Sequence, residues 1–571
     1  MDTDKIYSSI KSNKEKFLVV YRTLSPEKVI VVWLLAIASI VLLFSALMVW
    51  NQRFLVSIPS RGGSISEGIV GTPRFINPVL AVSNPDKDLV HLVYAGLTSR
   101  DGTGRIILDM ASSIEESPDQ LHYDVTIKPE AKFSDGAHVT TDDVIYTISL
   151  IQNPTIKSPH RVEWEGITVE KKSDTELTIS LKKPYPLFME VLTIGILPKH
   201  IWKDLTEEQI SLSDFNINAI GSGPYIIDSI KSVSGIPQSF TLTENKYYTL
   251  GRPYVEEIII NSYQNEKYLV QAFQGGTIDR IHGVSPEETV SLRVATTSIR
   301  TSLLPRTFSV FFNPNKTDFL TDKRVRSALN MAIDKQAIVD TVLKGYGKVI
   351  ETPFPFDEEQ PATIYDKEQA RTLLLKTKYF KTASSTIEIT LATANTDEMK
   401  KVAEMIKENW EAVGVHTTLA VYEVADLNQS VIKDRDFQAL LFGSITTSPA
   451  DLYAFWHSSQ RSYPGLNISN YVSKKLDTNL EAIRESGDEL ARITAYDAVK
   501  QEFQDETPGI FLFAPSLIYI TRDHITSPLP AYSLDSHSRF DLVSSWYRYT
   551  EKVWPKTYYK ALTTKLENIL H

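Results

Sequence analysis

Residues Val29 to Trp50 read VIVVWLLAIASIVLLFSALMVW, twenty-two positions without a charge. A helix rising about 1.5 Å per residue carries this run across roughly 33 Å, the thickness of a bilayer's hydrocarbon core. Trp33 and Trp50 fall near its ends, where amphipathic rings favour the membrane–water interface. The preceding segment, Met1–Lys28, holds six basic side chains (Lys5, Lys11, Lys14, Lys16, Arg22, Lys28) against four acidic ones. The excess of positive charge predicts a cytoplasmic segment at 1–28 and a transmembrane helix at 29–50. Everything after Trp50 is then extracytoplasmic, in the periplasm or at the cell surface, held to the cell membrane by a single pass. The competing reading is a cleaved signal peptide and a secreted product. That arrangement calls for an apolar region of about 7–15 residues followed by small residues. Here the longer run is followed by Trp50-Asn51-Gln52-Arg53. No second run of this kind follows, so the chain by itself is not a channel or a multi-span transporter.

Residues 51–63 read as a linker, with Pro59, Ser60, Gly62 and Gly63. Beyond it strand-like and helical patterns alternate. Leu121–Lys128 and Leu177–Leu181 alternate apolar and polar residues at period two, as half-buried strands do. Thr141-Asp142-Asp143 opens a helix carrying Val144, Ile145, Ile148 and Ile151, its hydroxyl and carboxylates suited to the unsatisfied N–H groups at a helix start. A second helix starts at Thr321 or Asp322, presents Val325, Leu329, Ala332 and Ile333 on one face, and ends at Gly345. A third spans about Asp397–Trp410 and is followed by a strand at Val415–Val421. Alternation over two long segments predicts an α/β protein with two lobes.

The exclusions are chemical. The chain has no cysteine, so it has no disulfide framework, zinc–thiolate site or thiol nucleophile. The formal net charge of −10 argues against nucleic acid as a partner. There is no GxxxxGK[ST] phosphate loop, no GxGxxG after a strand, no GxSxG and no HExxH. The eleven histidines are scattered, with no local metal pair. Asp142-Asp143 are adjacent on a helix, do not face each other, and read as capping groups rather than a catalytic pair. The expectation is no catalytic residue, no metal and no cofactor.

Several segments, in order, resemble the family 5 extracellular solute-binding proteins, the peptide, dipeptide and nickel receptors of ABC importers. They are YAGLTSRD at Tyr94–Asp101, YDVTIKPEAKFSDGAHVTTDDVIY at Tyr123–Tyr146, GSGPY at Gly221–Tyr225 and ENKYYTLGRPY at Glu244–Tyr254. FFNPNK and VRSALNMAIDKQAIVDTVLKG follow within Phe311–Gly347, then YDKEQARTLL at Tyr365–Leu374 and ETPGIFLF at Glu506–Phe513. The resemblance implies a two-lobed periplasmic-binding-protein fold of class II, the Venus-flytrap type, with an extra subdomain in the first lobe. It implies a first lobe at 64–302 including the subdomain at about 106–219, a second lobe at 303–519, and a return to the first lobe with a C-terminal tail at 520–571. The chain would cross between lobes near Leu303 and Tyr519. Relatives are commonly tethered through a lipidated cysteine; this chain has none, and the apolar helix takes that place.

The implied function is capture of a peptide or other small solute in the interlobe cleft and delivery to an ABC permease and, through it, its ATPase subunits. Ligand-site candidates by resemblance are Tyr94, Gly96 and Leu97 in the first lobe, Asn313 at the crossover, and Phe442, Ser444, Thr446, Thr447, Asp451 and Trp456 in the second. Peptide binders of the family place an aspartate after a Gly-Trp pair, where it meets the ligand's α-ammonium. Here Gly443-Ser444 stands for that pair and Thr446 or Thr447 for the aspartate. A hydroxyl is not a counter-ion. Asp451 is the available substitute, with helix capping as its alternative role. The competing reading of the whole is an exported scaffold or adhesion protein that keeps the fold without transport.

Overall fold

The computed structural model describes residues 25–555 apart from 53, 186, 294–295, 358–363, 381–386, 523–524 and 531–532, and does not describe the side chains of 49–52. Most of the expected cytoplasmic segment, the Trp50 side chain and the tail from 556 lie outside the described residues. The chain forms two units, one of residues 1–60 with 549–571 and one of residues 61–548.

In the first unit a helix spans Pro26–Gln52. None of its apolar stretch is buried within the structure; Leu42, for example, is 70% exposed. The expected linker is not featureless. Val56–Ser60 is a strand, paired antiparallel with Tyr549–Val553 from Val56 opposite Val553 to Ser60 opposite Tyr549. Sequence patterning missed this ladder because each strand is only five residues long and is paired with a partner nearly 500 positions away.

The second unit is built on a mixed sheet. Its strand order runs Val415–Tyr422, Ile387–Ala394, Ala439–Ile445, Arg306–Phe312, Gly509–Thr521, Arg280–His282, Ser64–Val70, Glu257–Tyr263, Ile236–Glu244 and Tyr225–Val233. The strand Gly509–Thr521 joins its two parts. Gly509–Phe513 pairs with Arg306–Phe312, and Ser516–Thr521 pairs with Ser298–Leu303. Pro305 and Pro515 sit where the partners change. Proline has no N–H to give to a ladder, so each ends one pairing and permits the next. The carbonyls still serve: Leu304 N donates to Pro515 O (3.0 Å) and Thr446 N to Pro305 O (2.9 Å). Tyr519, where the second crossing is expected, is paired with Arg300 and packed in the core with Ile65 and Trp546.

The cores divide at the same place. One holds Ile65, Leu92, Tyr123, Ile260 and Trp546, and a smaller one Phe273, Ile281 and Ile520. Two others hold Val310, Leu329, Ile406 and Trp410, and Phe311, Trp456, Phe503 and Phe511. A four-stranded antiparallel sheet (Ala111–Glu116, His122–Ile127, Glu176–Ser180, Thr168–Lys171) lies within the expected subdomain and shares the first core through Tyr123, Val125, Leu177 and Ile179. Its helix, Thr141–Gln152, begins with a capping box between Thr140 and Asp143, the role read for the acidic pair. The expected single helix from Asp322 to Gly345 is two, Lys323–Met331 and Lys335–Val342. Asp334 breaks it by capping the second, accepting from Ala337 N at 2.9 Å. The glycines of GSGPY are required by close approach: a Cβ on Gly221 would lie 2.1 Å from Val93 O.

The C-terminal segment is fixed to the first core by buried charge. Arg539, fully buried, donates from Nε to Glu67 (2.7 Å) and from both terminal nitrogens to Asp88 (2.7 and 2.9 Å). Tyr519 donates to the other Glu67 oxygen (2.7 Å), and His282 Nε2 lies 3.2 Å from Asp88. Burial, then the charge of Arg539, holds the His282 imidazole down at about 4, so it is neutral here. Removing one partner of such a cluster strands buried charge, so Arg539→Ala is expected to lower unfolding free energy by about 3–5 kcal/mol. Urea unfolding checks this; a loss below about 1 kcal/mol would show that the cluster does not hold the segment.

Candidate functional site

The second-half candidates form one continuous segment. Ala439–Ile445 pairs with Arg306–Phe312, placing Ser444 opposite Thr307 with their hydroxyls 2.7 Å apart. Phe442 is half-buried against the core of Phe311 and Trp456. Thr446 is buried where the strand meets the Pro305 crossing. The chain then turns, and Asp451 Oδ2 accepts from Thr447 N (2.8 Å), Thr447 Oγ1 (2.7 Å) and Ser448 N (3.0 Å). Of the two roles read for Asp451, capping is the one the geometry displays. Trp456 is 2% exposed among Phe311, Phe503 and Phe511, with ring centroids 5.0–5.8 Å away, and is a core residue. Asn313 is likewise buried: its amide donates to Arg435 O (2.8 Å) and its carbonyl accepts from Asn315 N (3.1 Å).

Tyr94 and Leu97 belong to the first core, and a Cβ on Gly96 between them would lie 2.6 Å from the Thr193 backbone. Tyr94 and Gly96 border a small polar cavity of about 50 Å³, whose wall includes His91, Asp109, Tyr248 and Asp541. The Tyr94 hydroxyl has no hydrogen-bond partner among the described residues. Burial pushes the Asp109 carboxyl up to about 7, opposed by hydrogen bonds from Thr249 and Tyr248 and by Lys128. Such a space holds one or two waters, not a peptide.

Groups distant in sequence come near one another in two other places, and of these sequence reasoning named only Asp451. Tyr185, between the four-stranded sheet and the short helix Phe188–Val191, is 37% exposed; partial burial of its phenol, then the charges of Asp451, Glu163 and Glu190, push it up to about 12, with Arg484 opposing. Asp451 and Arg484 belong to the second half, and Arg484 lies 4.4 Å above the Tyr453 ring. Elsewhere Lys401 pairs with Glu287, and Arg293 donates to the Tyr346 hydroxyl from Nε (3.1 Å) and Nη2 (2.7 Å). Arg293, Thr297, Ile299, Thr301, Gly345 and Tyr346 line a recess of about 520 Å³. These pairs join positions 53 to more than 250 residues apart, so no local pattern marks them. Among the described residues no group of three or more His, Asp or Glu is placed to hold a metal ion.

Two sets of cores are joined by one continuous strand. Residues 105–464 match the model of the bacterial extracellular solute-binding proteins, family 5 Middle, and the chain belongs to that family. It is 27% identical over 513 residues to the oligopeptide-binding protein AppA of Bacillus subtilis, covering 86% of this chain and 92% of that protein. The structure of that protein in complex with a nonapeptide superposes with a TM-score of 0.61 at 26% identity, covering 86% of this chain and 99% of that chain. HbpA2 of Haemophilus parasuis shares the fold, with a TM-score of 0.73 at 21% identity over 83% of this chain and 98% of that chain. The family binds solutes, and a substrate-binding role follows.

The buried Asp109 gives a pH test. Its folded pKa of about 7 is raised above its unfolded value, so its proton stays bound in the folded state while the unfolded chain releases it. Stability is lost from this group as pH rises from about 4 to about 7. Asp109→Asn removes the loss: its advantage over the parent is expected to grow across that window by at most about 4 kcal/mol. Thermal unfolding from pH 4 to 8 checks it; a gap that does not change with pH would refute the assignment.

Proposed function

We propose that this chain is a membrane-anchored receptor subunit of an ABC importer that captures a peptide or peptide-like solute between its two halves. The carrying observation is the shared strand Gly509–Thr521, paired with Arg306–Phe312 in one part and with Ser298–Leu303 in the other, which supports a rotation of two halves about Leu304–Pro305 and Ala514–Pro515. Lobes at 64–302 and 303–519, adjusted to those crossings, are the bodies that close. Closure about a few residues at the ends of elements is ordinary hinge motion. The ligand selects the closed form only by contacts it makes better there. The helix Pro26–Gln52 serves as an uncleaved single-pass anchor with its N-terminus in the cytoplasm, and the permease with its ATPase subunits is the acceptor. The reading assigns the chain no catalytic step, cofactor or metal.

The peptide class is favoured by the likeness to a protein named for oligopeptides. The hydroxyl residues Thr446 and Thr447, and the engagement of Asp451 in its own turn, favour recognition that does not depend on a free α-ammonium. Thermal shift against free and N-acetylated peptide pools tests both parts. A pool at a hundred times Kd is expected to add about 2.7 kcal/mol, with or without acetylation. No stabilisation by any pool at millimolar concentration would refute a peptide receptor, and loss of the effect on acetylation would show an amine anchor. Asp451→Asn keeps an acceptor at the cap and is expected to change affinity by less than about threefold; a tenfold loss, about 1.4 kcal/mol, would make Asp451 a ligand contact.

A further inference from the structure

The ladder between Val56–Ser60 and Tyr549–Val553 does more than close the chain. The first strand runs away from the apolar helix, and the antiparallel second strand runs back toward it. Val553 lies opposite Val56, so Trp554 stands level with Leu55, three residues beyond the helix end at Gln52. Three residues of extended chain span at most about 10 Å. The end of the ribbon nearest the helix is also its apolar end. Phe54 is 48% exposed, Val56 38% and Trp554 52%, and Val553 shares a face with Val56 as its direct cross-strand partner. In sequence the chain then continues Lys556-Thr557-Tyr558-Tyr559-Lys560, the mixture of amphipathic aromatics and lysines that favours a membrane interface.

We infer that this ribbon end is a second membrane contact: Phe54, Val56, Val553 and Trp554 seat in the headgroup region of the bilayer that the helix enters. The inference rests on the anchor reading above, because a cleaved helix would leave no bilayer beside the ribbon. The apolar helix fixes what covers the patch. A span of twenty-two uncharged residues already fills the hydrocarbon thickness, so Asn51 and Gln52 lie at headgroup level and the ribbon end follows within that layer or just above it. Indole and other aromatic rings gain from this zone because one edge is apolar and the other meets water. The body between Arg61 and Arg548 is then attached to the membrane by both of its chain ends.

The absence of native cysteine makes single-site labelling clean. The full-length protein is reconstituted in two sets of phosphatidylcholine vesicles, one doped with a headgroup-nitroxide lipid and one with a deep acyl-chain-nitroxide lipid, carrying a bimane label at Trp554→Cys, at Leu42→Cys in the helix or at Leu212→Cys on the body, which is 84% exposed. The label at 554 is expected to be quenched about twofold or more relative to the label at 212, with the label at 42 responding to a deep acyl-chain nitroxide. A label at 42 that is quenched while the label at 554 behaves like that at 212 overturns the inference and leaves the anchor standing. A label at 42 that no lipid quencher reaches overturns the anchor reading and the inference with it. Oxidation of the double variant Val56→Cys, Val553→Cys checks the register independently of tryptophan: a disulfide is expected in the vesicles, and its failure to form would remove the ribbon on which the contact depends.

Discussion

One strand, Gly509–Thr521, is hydrogen-bonded to both halves of the body, and the rest of the architecture depends on it. Thirteen residues of continuous β-structure contribute to both sets of cores, Ile510, Phe511, Leu512 and Phe513 to one and Ile518, Tyr519 and Ile520 to the other. The partner changes fall at prolines, where a ladder cannot continue for want of an N–H. Residue 515 is followed by the run Ser516–Thr521 on Ser298–Leu303, and preceded by pairing with both Arg306–Phe312 and Gly347–Val349. In the proposed reading this strand is the hinge, stiff to sliding and soft to rotation.

The first half carries an additional constraint. Its C-terminal segment does not rest on apolar contact alone but on Arg539 held between Glu67 and Asp88, all three fully buried. Buried ion clusters of this kind contribute little net stability, because desolvation opposes them, but they penalise any arrangement that leaves one member unpaired. The cluster therefore fixes where the C-terminal segment packs. From there the chain reaches Tyr549–Val553 and pairs with Val56–Ser60.

Much of the fold was legible in the sequence, and the reasons are local. The helix Pro26–Gln52, the helix at Thr141–Gln152 with its capping box and the strands at His122–Ile127 and Val415–Tyr422 each carry their own periodicity or cap. The family was legible too, because its motifs mark turns and close backbone approaches that a sequence must satisfy locally, as at Gly221 against Val93. What was not legible depends on distant partners. The break at Asp334 hid inside an unbroken apolar stripe, and the ribbon at Val56–Ser60 hid inside a linker because its partner is near the other end of the chain. The surroundings of the candidate site residues were less legible: that Asn313 and Trp456 are buried and Tyr94 packed in a core depends on partners far away in sequence, such as Arg435 for Asn313 and Phe503 and Phe511 for Trp456.

The central claim, that the two halves close on a solute about the shared strand, is tested most directly by a distance between them. Spin labels at Val162→Cys and Leu490→Cys, both on exposed positions of opposite halves, report it in a chain without native cysteine. Electron–electron double resonance is recorded without ligand and with a peptide pool that stabilises the protein. The account predicts a shorter and narrower distance distribution with peptide. A distribution unchanged by a peptide that demonstrably binds would contradict closure and place recognition elsewhere on the molecule.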